Sequence, residues 1–238
     1  MADHHPTAGE EEYLETLYWL HEVELPLTAA NVARAMLLSA PTVHEMVRRL
    51  EADGLITRDA RKRIAFTDHG LQVAESVVSR HRLVERFLTD VLGIPWHEVH
   101  EEAERMEHAM SPAIAQGMRE AIGDATTCPH GHPIEVGKRL PGAPLADVEL
   151  QAKVKVLRFE NEAESVLHYL YGTGITPGME GVVVERDDEH VVVESAGGVR
   201  HSLTHSAAET VSVSADPSPP LRVGLPPEVV LEQVAFGR

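Results

Sequence analysis

The sequence predicts a mainly α-helical protein with a smaller amount of β structure, and three observations lead to this fold class. Apolar residues recur at helical spacing through the N-terminal half, beginning with Tyr13, Leu14 and Leu17. From about residue 149 the pattern changes to short β-branched runs between polar turns. Residues 126–148, between these two patterns, are rich in proline and glycine, which indicates a linker.

Composition narrows the class of protein further. With 238 residues and an ordinary apolar content, the chain can form two or three small domains, each with its own core. The single cysteine, Cys128, excludes an internal disulfide framework and fits a reducing compartment. We find no secretory signal pattern and no apolar run of the roughly 18 to 20 residues that a membrane span needs. We therefore expect a cytoplasmic protein that does not enter a membrane.

The first 72 residues have the order of elements of a winged helix-turn-helix. Helical spacing, the N-cap residue Thr28, Pro41 in a first helical turn and the stop signal at Asp53 and Gly54 delimit three helices. Two β-prone runs follow, separated by a polar loop, and predict a small hairpin. The predicted helices cover about residues 10–21, 29–36 and 40–52, and the predicted strands cover residues 55–58 and 64–67.

The third helix and the hairpin are the candidates for contact with DNA, because in this fold the helix enters the major groove and the wing meets the backbone. A formal net charge of −17 argues against non-specific nucleic-acid binding, but basic residues outnumber acidic ones between Arg34 and Arg63. The candidate DNA-binding residues are Ser39, Pro41, Thr42, His44, Glu45 and Arg48 on the helix and Arg61, Lys62 and Arg63 in the wing. A helical bundle with a solvated basic face, or a winged helix that binds only protein, would have the same pattern.

Residues 73–125 form a second helical region with the pattern of a metal site. The first of its three predicted helices begins before the region, and the helices cover about residues 68–92, 97–110 and 111–122. Helical residues three and four positions apart share a face. Carboxylates and imidazoles occur at this spacing at Glu12 and Glu15 in the first helix, His81 and Glu85 in the fourth, and His100, Glu104, Glu107 and His108 in the fifth. Such donors without sulfur favour Mn²⁺ or Fe²⁺ over tetrahedral Zn²⁺. The alternative is that these residues are solvated surface pairs, because a chain rich in Glu and His places some of them at this spacing by chance.

The C-terminal region predicts a small barrel followed by a tail. Strand patterns at 154–157, 181–185, 191–194, 199–203 and 210–213, with a short helix at 162–171, fit an SH3-like β-barrel over residues 149–215. Residues 216–238 are proline-rich and are expected to be peripheral.

Four segments of the chain resemble the diphtheria-toxin-repressor family, the iron- and manganese-dependent repressors of bacteria. They are EEEYLETLYWL, LSAPTVHEMVRRLEADGLI, RHRLVERFLTDVLG and VHEEAERMEHAMS, and the resemblance spans about residues 10–215. It implies a homodimer that binds double-stranded operator DNA, with residues 73–125 as the metal-binding and dimerisation domain. It also implies a primary metal site at Glu12, Glu104, Glu107 and His108, and a second site at His81, Glu85 and His100. A further ligand would come from the SH3-like (FeoA-like) domain, near Glu160, Glu162 or Glu164.

The resemblance also bears on the metal. Iron-responsive members have methionine where this chain has Glu12 and cysteine where it has Glu104, whereas manganese-responsive members have carboxylates there and another at the position of Glu15. Hard oxygen donors favour Mn²⁺, so we expect Mn²⁺ as the cofactor, with Fe²⁺ as the alternative. The segment CPHGHP, residues 128–133, is interpreted as a structured linker, because it lacks the second half of a paired metal motif.

The expected function is repression of metal-homeostasis genes, and no catalysis. Metal binding would draw the first helix onto the dimerisation domain and fix the two DNA-binding domains at the operator's spacing. The alternative from another class is a carboxylate-bridged metalloenzyme, which uses paired Glu-x-x-His motifs. Here Arg105 stands three residues before His108, and His97 three before His100, so neither histidine fits. A regulator with a vestigial metal site is the remaining alternative.

Overall fold

The computed structural model describes residues 6–137 and 141–219 of the chain. Its helices are α1 (Ala8–Glu22), α2 (Ala29–Ala35), α3 (Ala40–Ala52), α4 (Asp68–Asp90), α5 (Val99–Glu107), α6 (Pro112–Ile122), α7 (Glu164–Thr173) and α8 (His205–Glu209). Its strands are β1 (Ile56–Arg58), β2 (Ile64–Phe66), β3 (Ala143–Pro144), β4 (Lys153–Phe159), β5 (Glu180–Arg186), β6 (His190–Ser195), β7 (Arg200–Thr204) and β8 (Val211–Asp216). The mainly helical fold class with a smaller β part is confirmed.

The N-terminal elements form the predicted winged helix-turn-helix. Side-chain caps begin its helices: Thr28 accepts a hydrogen bond from the backbone N–H of Asn31, and Ser39 accepts one from that of Thr42. Strands β1 and β2 pair antiparallel and form the wing. The helices and the wing share one apolar core, whose fully buried members include Leu14, Leu17, Val32, Val43, Leu50 and Leu55.

Helix α4 connects this unit to the rest of the chain, because it packs against α1, α5 and α6. Thr67 caps its N-terminus through the backbone N–H of Gly70. A Cβ atom at Gly70 would lie 1.7 Å from the carbonyl oxygen of Leu55, so only glycine allows α4 to start this close to the wing. The helix continues through residue 72, so the predicted boundary between residues 72 and 73 falls inside α4.

The C-terminal sheet is antiparallel, with the strand order β3-β8-β4-β5-β6-β7. Helix α7, which lies between β4 and β5 in the sequence, packs against this sheet. The shared core contains the fully buried residues Phe159, Leu167, Leu170, Val193 and Val213. This is the predicted SH3-like unit. The sequence pattern does not predict the short elements β3, of two residues, and α8, of five residues.

The largest departure from prediction concerns the fifth helix. The sequence predicts one helix over residues 97–110, but α5 spans only Val99–Glu107. The backbone N–H groups of Ala109 and Met110 donate to carbonyl oxygens three residues earlier, so the helix tightens and ends. His108 is therefore the C-cap residue rather than a member of the helical stripe.

Among the described helices, none is both long and apolar enough to cross a bilayer. Residues 220–238 of the predicted tail lie outside the described part.

Candidate metal centre

Five segments of the chain contribute side chains to one polar centre. Helix α4 provides His81 and Glu85, which share a face because they are four residues apart. Helix α5 provides His100 and Glu107. The other contributors are Glu11, Glu12 and Glu15 of α1, Cys128, His130 and His132 of the loop before β3, and Glu162 in the segment between β4 and α7.

His81 lies at the middle of the centre and is almost fully buried. Its Nδ1 atom is 2.7 Å from Oε2 of Glu107 and 3.5 Å from Oε1 of Glu15. Its Nε2 atom is 3.1 Å from Oε1 of Glu85 and 3.1 Å from Nδ1 of His100. The imidazole thus connects the two sets of residues that the sequence assigns to separate sites, and the sets form one continuous network.

A second group of donors surrounds Glu85 on the side of the β domain. Nδ1 of His130 is 3.3 Å from Oε1 of Glu85 and 3.6 Å from Oε1 of Glu162. The other ring nitrogen of His130, Nε2, donates to the carbonyl oxygen of Trp96 at 2.7 Å. Because Nε2 carries that proton, a neutral His130 directs the lone pair of Nδ1 toward both carboxylates. Sγ of Cys128 belongs to the same group, in which all ligand atoms lie within 4.8 Å of one another.

The residues assigned to the primary site are only partly drawn together. Glu12 and Glu104 are exposed, and both line one cavity of about 430 Å³ with Glu15, His81 and His100. Oε1 of Glu104 is 3.6 Å from Nε2 of His100. Glu12 and Glu104 therefore lie at the mouth of the centre rather than inside it.

His108 bonds to a residue that the sequence interpretation does not include. Its Nδ1 atom is 2.7 Å from Oε2 of Glu11, and its Nε2 atom is 3.4 Å from Oε1 of Glu107. The second carboxylate oxygen of Glu11 accepts a hydrogen bond of 2.7 Å from Arg80. Glu11 thus joins α1 to α4 and to the end of α5.

The pKa values of the inner residues reflect how closely these charges are packed. Burial is the largest influence on Glu15 and raises its pKa to about 7, although the nearby His81 works to lower it. Burial works to lower the pKa of His81, but Glu15 and Glu85 outweigh it and raise that pKa well above the ordinary histidine value. In the absence of another cation, the imidazole holds a proton to balance the carboxylates.

The same balance holds beside the β domain. Burial and the charge of Glu85 work to raise the pKa of Glu162, but the imidazoles of His130 and His132 outweigh them and hold it at about 2. Burial works to lower the pKa of His130, and the carboxylates of Glu85 and Glu162 raise it well above its ordinary value. Burial raises the pKa of the Cys128 thiol, so the thiol stays protonated at neutral pH.

These residues fit a bound divalent cation. Oε2 of Glu85, Oε1 of Glu107 and Nδ1 of His130 are buried and have no hydrogen-bond partner within the described residues. Buried carboxylates are costly unless they are paired with positive charge or coordinate a metal. Oε1 of Glu107 and Nδ1 of His130 have the ion-pair contacts given above, to His108 and to Glu85 and Glu162 respectively, and a divalent ion would coordinate such atoms and neutralise the carboxylates.

Sequence reasoning missed several of the residues brought together here. The loop CPHGHP, interpreted above as a linker, buries Cys128, His130 and His132 against the centre. Of the three glutamates considered in the β domain, Glu162 reaches the histidines, whereas Glu160 pairs with Arg158 at 2.7 Å. Two histidines within three residues beside a cysteine were the available signal, and only the tertiary structure places them beside Glu85.

The candidate DNA-binding surface is exposed throughout. Ser39, Pro41, Thr42, His44, Glu45 and Arg48 all face solvent on α3, as do Arg61, Lys62 and Arg63 in the wing. The wing is shaped by Asp59, which accepts hydrogen bonds from the backbone N–H groups of Arg61 and Arg63 and from the Arg63 side chain. Arg61 and Lys62 thus project from the tip of a defined turn.

Comparison with family models covers most of the chain. Residues 6–63 match the N-terminal DNA-binding domain of iron-dependent repressors. Residues 67–135 match the metal-binding and dimerisation domain of the same repressors, and residues 143–215 match the FeoA domain.

Individual relatives agree with these matches. The chain is 32% identical over 223 residues to the iron-dependent repressor IdeR of Mycobacterium leprae, covering 85% of this chain and 95% of the relative. It is 31% identical over 218 residues to the diphtheria toxin repressor of Corynebacterium diphtheriae, again covering 85% and 95%.

Solved structures extend the likeness to the fold. A manganese-dependent transcriptional repressor in complex with manganese superposes with a TM-score of 0.78 at 28% identity, covering 87% of this chain and 99% of that one. The IdeR of T. acidophilum gives a TM-score of 0.74 at 25% identity, covering 90% of this chain and all of that one. The relatives are DNA-binding repressors, which removes the metalloenzyme alternative. The chain belongs to the diphtheria-toxin-repressor family of iron- and manganese-dependent transcriptional repressors.

Proposed function

We propose that this repressor responds to Mn²⁺, with Fe²⁺ as the alternative, and that the metal couples the position of α1 to the dimerisation domain. One observation carries the proposal: Glu15 on α1 meets the buried His81 of α4 and the buried Glu107 of α5 in a single cluster. Because α1 packs in the core of the DNA-binding unit, a ligand on α1 makes the position of that unit depend on metal occupancy.

We assign the primary ion to donors from α1, α4 and α5. Glu12 and Glu104 at the mouth of the cavity would complete a set formed inside by Glu15, Glu107 and His108, with His81 shared between the two halves of the centre. When bound, the ion supplies positive charge and coordination that hold these carboxylates together. The preponderance of oxygen donors favours Mn²⁺ over later metals.

We assign a second ion to the side of the β domain. His81, Glu85, His100 and Glu162 form one possible donor set, and Glu85, Cys128, His130 and Glu162 form another. Glu85 and Glu162 belong to both sets, so occupancy by one ion would exclude the other arrangement. In both cases Glu162 would tie the β domain to α4.

The active species would be a homodimer on double-stranded operator DNA. Val91, Leu92 and Ile114, at the end of α4 and on α6, are large apolar residues that are about half exposed in the single chain. We propose that they face the partner subunit, since exposed apolar patches mark interaction sites. Two α3 helices would then enter successive major grooves, and the gene products controlled would be those of metal homeostasis.

The test is operator binding by the full-length protein at fixed free concentrations of Mn²⁺ or Fe²⁺, without oxygen. We expect tight binding with metal and loss of specific binding after chelation. In Glu15→Gln, which keeps the side-chain shape but loses the charge, the Mn²⁺ requirement should rise more than about tenfold. Glu189→Gln, an exposed change in the β domain, is the matched control. Chelated protein that binds the operator as tightly as the Mn²⁺ form would instead support the vestigial site.

A further inference from the structure

A separate group of metal-binding side chains lies outside the centre described above. His97 and Glu98 stand just before α5, and His168 lies on α7 of the β domain. One ligand atom from each of the three residues lies within 4.8 Å of those from the other two. A cation with ligands at about 2.1 Å holds tetrahedral ligand atoms about 3.4 Å apart, so small side-chain movements would close the group around an ion.

Ring stacking holds His97 in place, and its buried Nδ1 atom takes no part in a hydrogen bond among the described residues. The imidazole is only 6% exposed and stacks on the ring of Tyr171, with centroids 3.7 Å apart and planes 16° apart. Its Nδ1 atom is buried and has no hydrogen-bond partner in the described part of the chain. Its Nε2 atom is 3.6 Å from Oε1 of Glu98. Burial and the neighbouring His168 lower the pKa of His97, which keeps the ring in the neutral, ligating form.

His168 has the hydrogen bond that metal-binding histidines usually have. Its Nδ1 atom donates to the carbonyl oxygen of Glu164 at 2.9 Å, since a carbonyl oxygen can only accept. This fixes the tautomer and leaves the lone pair on Nε2. Metal ligands of this type typically donate their other N–H to a backbone carbonyl or a carboxylate. The ring lies 4.9 Å from that of His97, nearly perpendicular to it.

We infer that His97, Glu98 and His168 form an additional divalent-cation site that is suited to Zn²⁺ and bridges α5 and α7. Two imidazoles and one carboxylate, with a position left for water, are a common zinc donor set. This set is richer in nitrogen than the inner centre, so it favours later metals over Mn²⁺. The site would join the elements next to His100 and Glu162, which meet in the inner centre with Nδ1 of His100 3.7 Å from Oε2 of Glu162.

The test counts bound Zn²⁺ on the full-length protein, by equilibrium dialysis at fixed free Zn²⁺ followed by elemental analysis. His168→Ala should bind one Zn²⁺ fewer per chain, or bind the last one more than about tenfold more weakly, because a direct ligand is lost. His190→Ala removes an exposed histidine of the same domain and should leave the count unchanged. The count requires neither Mn²⁺ nor DNA, so it is independent of the proposed function.

A spectroscopic arm uses Co²⁺ in place of Zn²⁺. His168→Cys should restore binding and add a thiolate-to-Co²⁺ absorption band in the near ultraviolet, because a coordinating thiol is deprotonated. His190→Cys should add no band. A His168→Ala protein that binds as much Zn²⁺ as the wild type, with the same affinity, would overturn the site.

Discussion

The indole N–H of Trp19 on α1 donates a hydrogen bond of 3.1 Å to the backbone carbonyl oxygen of Glu160. Glu160 lies two residues before Glu162, the β-domain carboxylate that reaches the inner centre. The DNA-binding unit and the β domain are therefore in direct contact beside the residues that would bind metal. Nearby, an ion pair joins the DNA-binding unit to the dimerisation domain, since Arg82 of α4 bonds both to Glu22 of α1 and to the carbonyl oxygen of Pro133 in the loop before β3.

Removing this hydrogen bond should raise the metal concentration needed for operator binding. Trp19→Phe keeps an aromatic ring but loses the donor, and a net hydrogen bond contributes about 0.5–1.5 kcal/mol. We expect the Mn²⁺ concentration at half-saturation of operator binding to rise by about twofold to tenfold. The measurement is fluorescence anisotropy of labelled operator over a Mn²⁺ series. A normal Mn²⁺ requirement would mean that this contact does not contribute to coupling.

The wing and the recognition helix should respond differently to substitution. Arg61→Ala should weaken binding to all DNA sequences alike and reduce the salt dependence by about one unit of slope, because one phosphate contact is lost. Thr42→Val keeps the shape of the side chain and removes a hydroxyl at the start of α3, so it should change the preference between operator variants. The two changes are compared on operator and random DNA over a salt series. Equal losses on both DNAs for Thr42→Val would contradict the assigned recognition face.

The prediction of the fold from sequence rests on local signals, whereas the centre depends on long-range contacts. Periodicity and caps are properties of neighbouring residues, so α1 to α4 are predicted to within a few residues. Three consecutive glutamates, Glu10 to Glu12, show where this fails. Successive helical positions differ by about 100°, so Glu10 turns inward to Arg49, Glu11 meets His108 and Glu12 faces the cavity mouth. The choice among them requires the positions of α3 and α5.

The roles of the loop residues are the other part that sequence could not supply. Spacing within a helix brings His81 to Glu85, but His130 reaches Glu85 from 45 positions along the chain. Glu162 comes later still in the sequence than His130, in a segment without regular structure before α7. The domain limits remain predictions, as do the roles of individual metal and DNA ligands.

Metal binding should release protons at neutral pH. The carboxylates around His81 and His130 raise both pKa values well above the ordinary value, although burial opposes this, so both rings are charged in the metal-free protein. A ligating imidazole must be neutral, so Mn²⁺ affinity should increase as pH rises from below 6.5 through these raised pKa values. Calorimetric titrations at pH 7 in two buffers of different ionisation enthalpy would count the protons. Heats that do not depend on the buffer would contradict the prediction.

The stability of the metal-free protein should change in the opposite sense. A group whose folded pKa is raised contributes stability that is complete below the unfolded pKa and is lost as pH rises through the folded one. For His81 and His130 this loss begins near pH 6.5, and for Glu15 it occurs between about 4.5 and 7. Denaturant unfolding should therefore give a lower free energy at pH 8 than at pH 6 without metal. Saturating Mn²⁺ should remove or reverse this trend.

Metal selectivity should depend on Glu12 and Glu104, which stand where iron-responsive relatives are expected to have sulfur. The double change Glu12→Met with Glu104→Cys should shift activation from Mn²⁺ toward Fe²⁺, Co²⁺ or Ni²⁺. Sulfur ligands form more covalent bonds, and these stabilise the later metals more than they stabilise Mn²⁺. Both residues are exposed at the mouth of the cavity, and the Glu104 side chain is 58% exposed, so the protein should remain folded. The measurement is operator affinity at fixed free concentrations of each metal.

A matched double change separates the effect of sulfur from that of lost charge. Glu12→Gln with Glu104→Gln keeps oxygen donors at both positions and removes two negative charges, whereas the Met and Cys variant removes only one, because a coordinating cysteine is a thiolate. If charge alone favours Mn²⁺, both double variants should lose Mn²⁺ affinity, the Gln variant more than the Met and Cys variant, and both should rank the metals alike. If donor type decides, only the Met and Cys variant should move Co²⁺ or Ni²⁺ ahead of Mn²⁺, because only it supplies soft ligands. Should wild type and both variants rank the metals identically, selectivity resides in the inner residues, and the physical basis for preferring manganese is lost.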